Sequence, residues 1–268
     1  MARLAPVVHG GLEASVAKGD WRMRKSLWVI AVLLLLVVIG NPRILRADGT
    51  QLITNGSFGT GDLTGWTETD ETGGSGSWFV LSGTTEPVSG LTTVGPDGTT
   101  NYASSDQTGP GAHALIQSFT VPLGTTSVDL SWDMFINDLD GTFCTGLDYT
   151  VPQVECGTVA ILAAGSNPLT TTTGVVDSIF TGTAGATAGP NGWVGYNAVI
   201  TNLTPGTTYE LQFAEADNQS FFDMGIDNVS LVATGNVPEP ATSGLMLLGV
   251  GLLLVMQKRL GARLHQAN

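Results

Sequence analysis

Few residues in this sequence are equipped for chemistry. Between Asp48 and Asn236 there is one histidine, His113, one pair of cysteines, Cys144 and Cys156, and no Lys or Arg beside 20 carboxylates. A Ser-His-Asp triad would have to use His113, and no Gly-x-Ser-x-Gly turn offers it a nucleophile. Flanked by Ala114-Leu115-Ile116, His113 reads as a structural strand residue. A phosphate loop needs a Lys, and a body of this charge repels nucleic acid. Paired carboxylates for glycoside hydrolysis are numerous but sit in no recognisable motif. Asp138-Leu139-Asp140-Gly141 has two acids of a calcium loop, but it lacks an acid or amide at position 136 and flanking helices, and it reads as a solvated turn. Sugar recognition would need exposed aromatic faces beside amides and carboxylates. Trp78, Tyr102, Trp193 and Tyr196 are the candidates, whereas Trp66 and Trp132 are assigned to the core. Trp193 and Tyr196 have opposite parity on one strand, so at most one of them faces the core.

The elements that must position these residues are short strands. Of the 189 residues from Asp48 to Asn236, 33 are Thr, and Gly, Asn, Asp and Ser fill much of the rest. Thr favours strands and the others favour turns, and no stretch carries a helical apolar period. The clearest alternation is Ser127–Phe135, with Val128, Leu130, Trp132 and Met134 on one face and Ser127, Asp129, Ser131 and Asp133 on the other. Tyr209, Leu211 and Phe213 alternate with Glu210 and Gln212, and Ile226, Val229 and Leu231 mark a last strand. Further strands are predicted at Gln51–Thr54, Trp78–Leu81, His113–Val121, Val159–Ala163, Val175–Phe180 and Trp193–Ile200. Eight to ten such strands without helices predict an all-β, jelly-roll-like β-sandwich over residues 48–236.

Both ends of the chain read as addresses. Residues 23–47 have the form of a signal peptide: Arg24 and Lys25, then 14 almost unbroken apolar residues from Leu27 to Gly40, then a cleavage stretch ending at Ala47. A helix of that length spans only about 21 Å, short of a bilayer's hydrocarbon. Residues 1–22 read as a start-site extension or a long n-region. At the other end Val237-Pro238-Glu239-Pro240 precedes the apolar run Ala241–Met256 and the basic residues Lys258, Arg259 and Arg263. Sixteen helical residues reach about 24 Å, enough for a thin bilayer. The basic cluster would stay cytoplasmic and leave the acidic body across the membrane. In such an oxidising compartment the two cysteines are expected to form a disulfide.

The tail, taken as tetrad, apolar helix and basic end in that order, resembles the PEP-CTERM sorting signal. That resemblance implies an exosortase as partner, export through the secretion machinery, an inner-membrane intermediate in a Gram-negative bacterium, and a destination at the cell surface or in an exopolysaccharide biofilm matrix. The body carries a second resemblance. Leu52-Ile53-Thr54-Asn55-Gly56-Ser57-Phe58 with Gly65-Trp66, and Gly225-Ile226-Asp227-Asn228-Val229-Ser230-Leu231, are similar to the opening and last strand of galactose-binding-like, carbohydrate-binding-module jelly rolls. This implies a structural calcium on Asp227, although Gly59 stands where the family's second carboxylate would be. Leu203-Thr204-Pro205-Gly206-Thr207-Thr208-Tyr209 also resembles a fibronectin type III tyrosine corner. The expectation is a non-enzymatic exported surface or matrix protein needing no cofactor. The alternatives are a carbohydrate-binding module acting on secreted glycans, or a hydrolase with an unrecognised carboxylate site.

Overall fold

A computed structural model describes residues 49–138, 144–182, 189–219, 222–235 and 249–251. The segments 1–22 and 23–47, the tetrad Val237–Pro240, Lys258 and Arg259 and the turn at Asp140 lie outside the described residues. Of the apolar run 241–256 only the helical residues 249–251 are described. Among the described residues no helix is long and apolar enough to cross a membrane.

The rest is two antiparallel sheets face to face, the all-β sandwich expected. One has the order β3 (Ser77–Leu81), β4 (Tyr102–Asp106), β11 (Phe222–Gly235), β6 (Thr125–Asp138), β9 (Val194–Ile200), with β1 (Thr50–Gln51) also paired to β11. The other runs β2 (Thr67–Asp70), β5 (Gly111–Thr120), β10 (Thr208–Asp217), β7 (Glu155–Ala163), β8 (Val175–Gly182). The alternation at Val128, Leu130, Trp132, Met134 continues to Ile136, and all five are buried against Leu115, Phe119, Val159, Ile161, Leu211 and Phe213 of the facing sheet. Period-2 patterning thus does what it promises in these strands: one face goes to the core. Trp66 and Trp132 are in that core, as expected, both edge-on to Phe213.

The strands differ from the sequence expectation in two ways. Thr67–Asp70 and Tyr102–Asp106 are strands although neither alternates visibly; β2 is a short, charged edge strand, and β4 is small and polar yet buried throughout. Conversely, the strand expected at Gln51–Thr54 stops at Gln51, because Thr54 turns to exchange hydrogen bonds with the side chain of Gln117.

Each sheet is also covered on its outer face. Residues 82–101 cross the first sheet over Leu81, Tyr102 and Phe135. There Gly225 is obligatory, since a Cβ would lie 2.0 Å from the Phe135 ring. The second sheet presents Ala112, Ala114, Ala214 and Ala216, small residues that leave room for the strap 144–154, which inserts Leu147 and Val154. The expected Cys144–Cys156 disulfide is formed and pins that strap to β7. At Asn228, with φ 51°, β11 bulges and its register against β6 shifts between Asp227 and Ser230.

The sandwich has two unlike ends. At one, β5 turns into β6, β9 into β10, and β11 finishes; Thr50 pairs with Ala233 there, so the chain arrives where it later departs. The expected tyrosine corner is here, the Tyr209 hydroxyl accepting from the Thr204 amide at 3.0 Å. At the other end β10 turns into β11, and strand ends and adjoining turns carry Asp70, Asp106, Asp138, Glu155, Glu215, Asp217 and Asp223.

Candidate functional site

The aromatic residues proposed as sugar platforms are not assembled into one. Trp78 is 1% exposed and Tyr102 is 0% exposed, Tyr102 beneath the 82–101 crossing with its hydroxyl on the Gly83 carbonyl. A buried ring offers no face to a pyranose, so both are corrected to structural residues. Trp193 and Tyr196 lie on opposite faces, as their parity requires. Trp193 packs edge-on to Tyr102 and Phe135 and donates to the Gly95 carbonyl, while Tyr196 stacks on Trp132 at 5.1 Å. Both rings are half-buried and spend their faces on neighbouring rings.

Asp227, the expected calcium ligand, has both oxygens occupied by protein donors. One accepts from the Asp97 amide and the Thr99 hydroxyl, the other from the Asn228 amide. Burial raises its carboxyl above the ordinary range. In the opening loop the Asn55 amide donates to the carbonyls of Asp62 and Thr64, closing the loop by itself. These residues do not fit a calcium ion, which wants six to eight oxygens free of other donors. Among the described residues no three His, Cys, Asp or Glu side chains form a metal-holding group.

His113 is buried at the acidic end with its ring fully committed. Nδ1 faces the Asp70 carboxylate at 2.8 Å, and Nε2 faces the Ser75 carbonyl at 2.7 Å and Gln107 Oε1 at 3.0 Å. Both ring nitrogens are engaged by protein groups. Neither nitrogen is left to serve as a general base, and Ser77 bonds Asp70 rather than His113. From His113 the network continues: Gln107 donates to Asp217, and Asp217 accepts from the Gln219 amide. Glu215 lies 3.8 Å from His113 Nε2, and burial followed by the charges of Asp217 and Asp223 holds its carboxyl well above the usual range.

This network joins two grooves, one on either side of the disulfide-pinned strap. The first, about 450 Å3, is lined by Pro110, Tyr149, Pro152, Gln153, Asn218 and Gln219 among others. Asn218 builds it: its Oδ1 accepts from the Val154 amide at 2.9 Å, and its side-chain nitrogen donates to the Tyr149 and Val151 carbonyls. The Tyr149 hydroxyl is tied to the Thr72 carbonyl at 3.1 Å. Gln153 is held at φ 61°, a left-handed conformation uncommon for a residue of its type and frequent at binding sites. The second groove, about 390 Å3, carries Asp70, Glu71, Asp148 and Asn167. Burial and the neighbouring Asp148 push the Glu71 carboxyl up. A half-exposed ring flanked by amides and prolines can stack on a sugar and bond its hydroxyls. Sequence reading missed Tyr149, Gln153, Asn218 and Gln219. The available signals were an aromatic enclosed between two cysteines and an Asn-Gln pair at a strand end.

The chain is an antiparallel β-sandwich, and residues 236–259 match the PEP-CTERM protein-sorting motif. No curated protein matches it. Among solved structures it is similar to the enzymatically active domain of bacteriophage CBA120 tailspike protein 4, at 16% identity and TM-score 0.42, covering 68% of this chain and 21% of that one. It is similar to TmCBM61 in complex with β-1,4-galactotriose, at 12% identity and TM-score 0.41 over 68% of this chain and 97% of that one. It is also similar to the family 11 carbohydrate-binding module of Clostridium thermocellum, at 12% identity and TM-score 0.39 over 71% and 99%. The chain thus spans about a fifth of the tailspike domain and nearly the whole of the two modules, and these likenesses concern fold alone.

Proposed function

We propose that this is an exported surface protein whose body binds a neutral extracellular polysaccharide and whose tail is handed to an exosortase. In this reading residues 23–47 direct export, residues 48–236 are the binding body, and the tail 237–263, with its apolar run 241–256, halts the chain in the inner membrane of a Gram-negative bacterium before processing. The destination is the cell surface or a biofilm matrix. The match at 236–259 supports the sorting step.

The Tyr149 groove carries the binding step. Its strap is fixed by a disulfide and by three bonds from Asn218, so the ring and amides are preorganised. A body without Lys or Arg has nothing to pair with an acidic glycan, which selects a neutral one. His113 has no free nitrogen and no serine attached to it, which favours binding over hydrolysis.

Affinity electrophoresis against neutral β-glucans and galactans tests this, with Tyr149→Ala and Gln153→Ala as variants. Retardation of the wild type, weakened at least tenfold in both variants with melting temperatures held, is the expected result. Equal retardation of the variants would place the site elsewhere. Sorting is tested separately, by the intact mass of the protein from surface and membrane fractions of its own cells; retention of the tail in the inner membrane would refute processing.

A further inference from the structure

We propose that the end of the sandwich from which the sorting tail leaves is a lipid-facing surface, resting on the bilayer through Leu123 until the tail is removed. The inference rests on the reading of residues 241–256 as membrane-inserted, and goes beyond it by fixing which face of the body meets the lipid.

Three observations carry it. The first is the tether. The last strand ends at Gly235, and only residues 236–240 separate it from the apolar run. Five residues reach at most about 17 Å. Strands β6 and β11, of 14 residues each, run about 45 Å along the body. With the tail inserted, the tail end of the body is held within about 17 Å of the bilayer surface, whereas the acidic end is not tethered to it.

The second is Leu123. At 83% exposure it is the most exposed large apolar residue among the described residues. It projects from the β5–β6 turn beside the departing tail: Gly235 lies opposite Thr125, and a Cβ on Gly235 would be 2.2 Å from the Gly124 carbonyl oxygen. Leu123 lies against Gly206 and otherwise faces solvent, a side that the acyl boundary of a bilayer would cover.

The third is charge. Residues 121–126, 201–208 and 230–235, which form most of this end, contain no ionisable side chain; the entering chain adds one carboxylate in sequence, Asp48, just before Gly49. Glu210, just inside, is buried and accepts from the Gly165 amide. The exposed Asp129 is the fifth residue of β6, set back from the end. In a body of 20 carboxylates, this is the end an anionic headgroup layer would repel least. The glycan groove, at the opposite end, is thereby aimed away from the membrane.

The test uses the full chain with its tail intact, reconstituted into phosphatidylethanolamine–phosphatidylglycerol vesicles. No described cysteine is free, so a thiol introduced by Leu123→Cys or, at the far end, Gln153→Cys takes a fluorophore selectively. Spin-labelled lipid should quench the label at 123 at least twofold more than that at 153. Equal quenching in vesicle-bound protein, or stronger quenching at 153, overturns the orientation while leaving the sorting reading intact. Recovery of the chain outside the vesicles overturns the membrane reading and this inference with it. In cells, Leu123→Asp should slow tail removal several-fold without lowering the melting temperature, since the residue supports no core packing; an unchanged rate rejects Leu123 as the contact.

Discussion

Glu86 gives the most exact handle on how this acidic body stays folded. It sits at 2% exposure on the segment that crosses the first sheet, with Oε1 accepting from Ser104 Oγ at 2.9 Å and Oε2 without a partner. Burial pushes its carboxyl up to about 8, with the Ser104 bond opposing and Asp106 adding to the rise. The unfolded chain would release that proton near 4.5. Between those values the folded state holds a proton the unfolded state has lost, so stability falls as pH rises through that window. At 1.36 kcal/mol per unit, the penalty relative to a neutral side chain is about 1 kcal/mol at pH 5 and about 3 kcal/mol at pH 7. Glu86→Gln keeps the acceptor for Ser104 and removes the titration. For a domain of this size about 3 kcal/mol corresponds to roughly 6–12 °C. Thermal unfolding at pH 5, 7 and 9 should show the variant close to wild type at pH 5 and progressively more stable above it. Melting curves that stay parallel across that range would refute the reasoning, because they would mean that Glu86 is not held protonated by the fold.

Two other outcomes follow from the same structure. Reduction of Cys144–Cys156, which releases a loop of 12 residues, should cost about 3 kcal/mol and abolish glycan retardation, read by melting temperature and affinity electrophoresis with and without reductant. Because both oxygens of Asp227 already accept protein donors, calcium and EDTA should give the same melting temperature; a calcium-dependent rise would show that Thr99 and Asp97 yield their bonds to the ion.

What could be read in advance was what alternation controls. Val128 to Met134 and Tyr209 to Phe213 announce their inward faces because apolar and polar residues alternate in plain view, and the core is built from them. The same strands extend beyond that pattern: β10 runs on through Glu215 and Asp217, and β6 ends at Asp138. Acids on the inward face look like the end of a strand, yet here they continue it, paired in part with His113 and Gln107. β4 was hidden for the converse reason: Ser104 and Asp106 are buried beneath residues 82–101, which bond them through Glu86, Val88 and Ser89. The aromatic site misled through the same effect. Tyr102 looks exposed by composition, and the covering segment makes it core. Tyr149 looks like part of a loop, and the disulfide with Asn218 turns that loop into a wall.

The distribution of carboxylates along the sandwich ties these features together. Buried acids are costly, and a body that places Glu86, Glu215 and Asp223 out of water gives up stability as pH rises above the ordinary carboxylate range. Asp223 is pushed to about 9 by burial and then by Glu86, Asp106 and Asp217, with neither oxygen partnered. Spread evenly, the same acids would each be solvated and cheap. Concentrated toward one end, they leave few charges at the other, beside the point where the chain enters and departs. In the proposed membrane-tethered form, the sparsely charged end would sit against anionic lipid and the amide-lined groove would face outward. Asp223→Asn should raise the melting temperature at neutral pH and leave the quenching contrast between labels at 123 and 153 unchanged; an unchanged melting temperature would refute the cost assigned to Asp223.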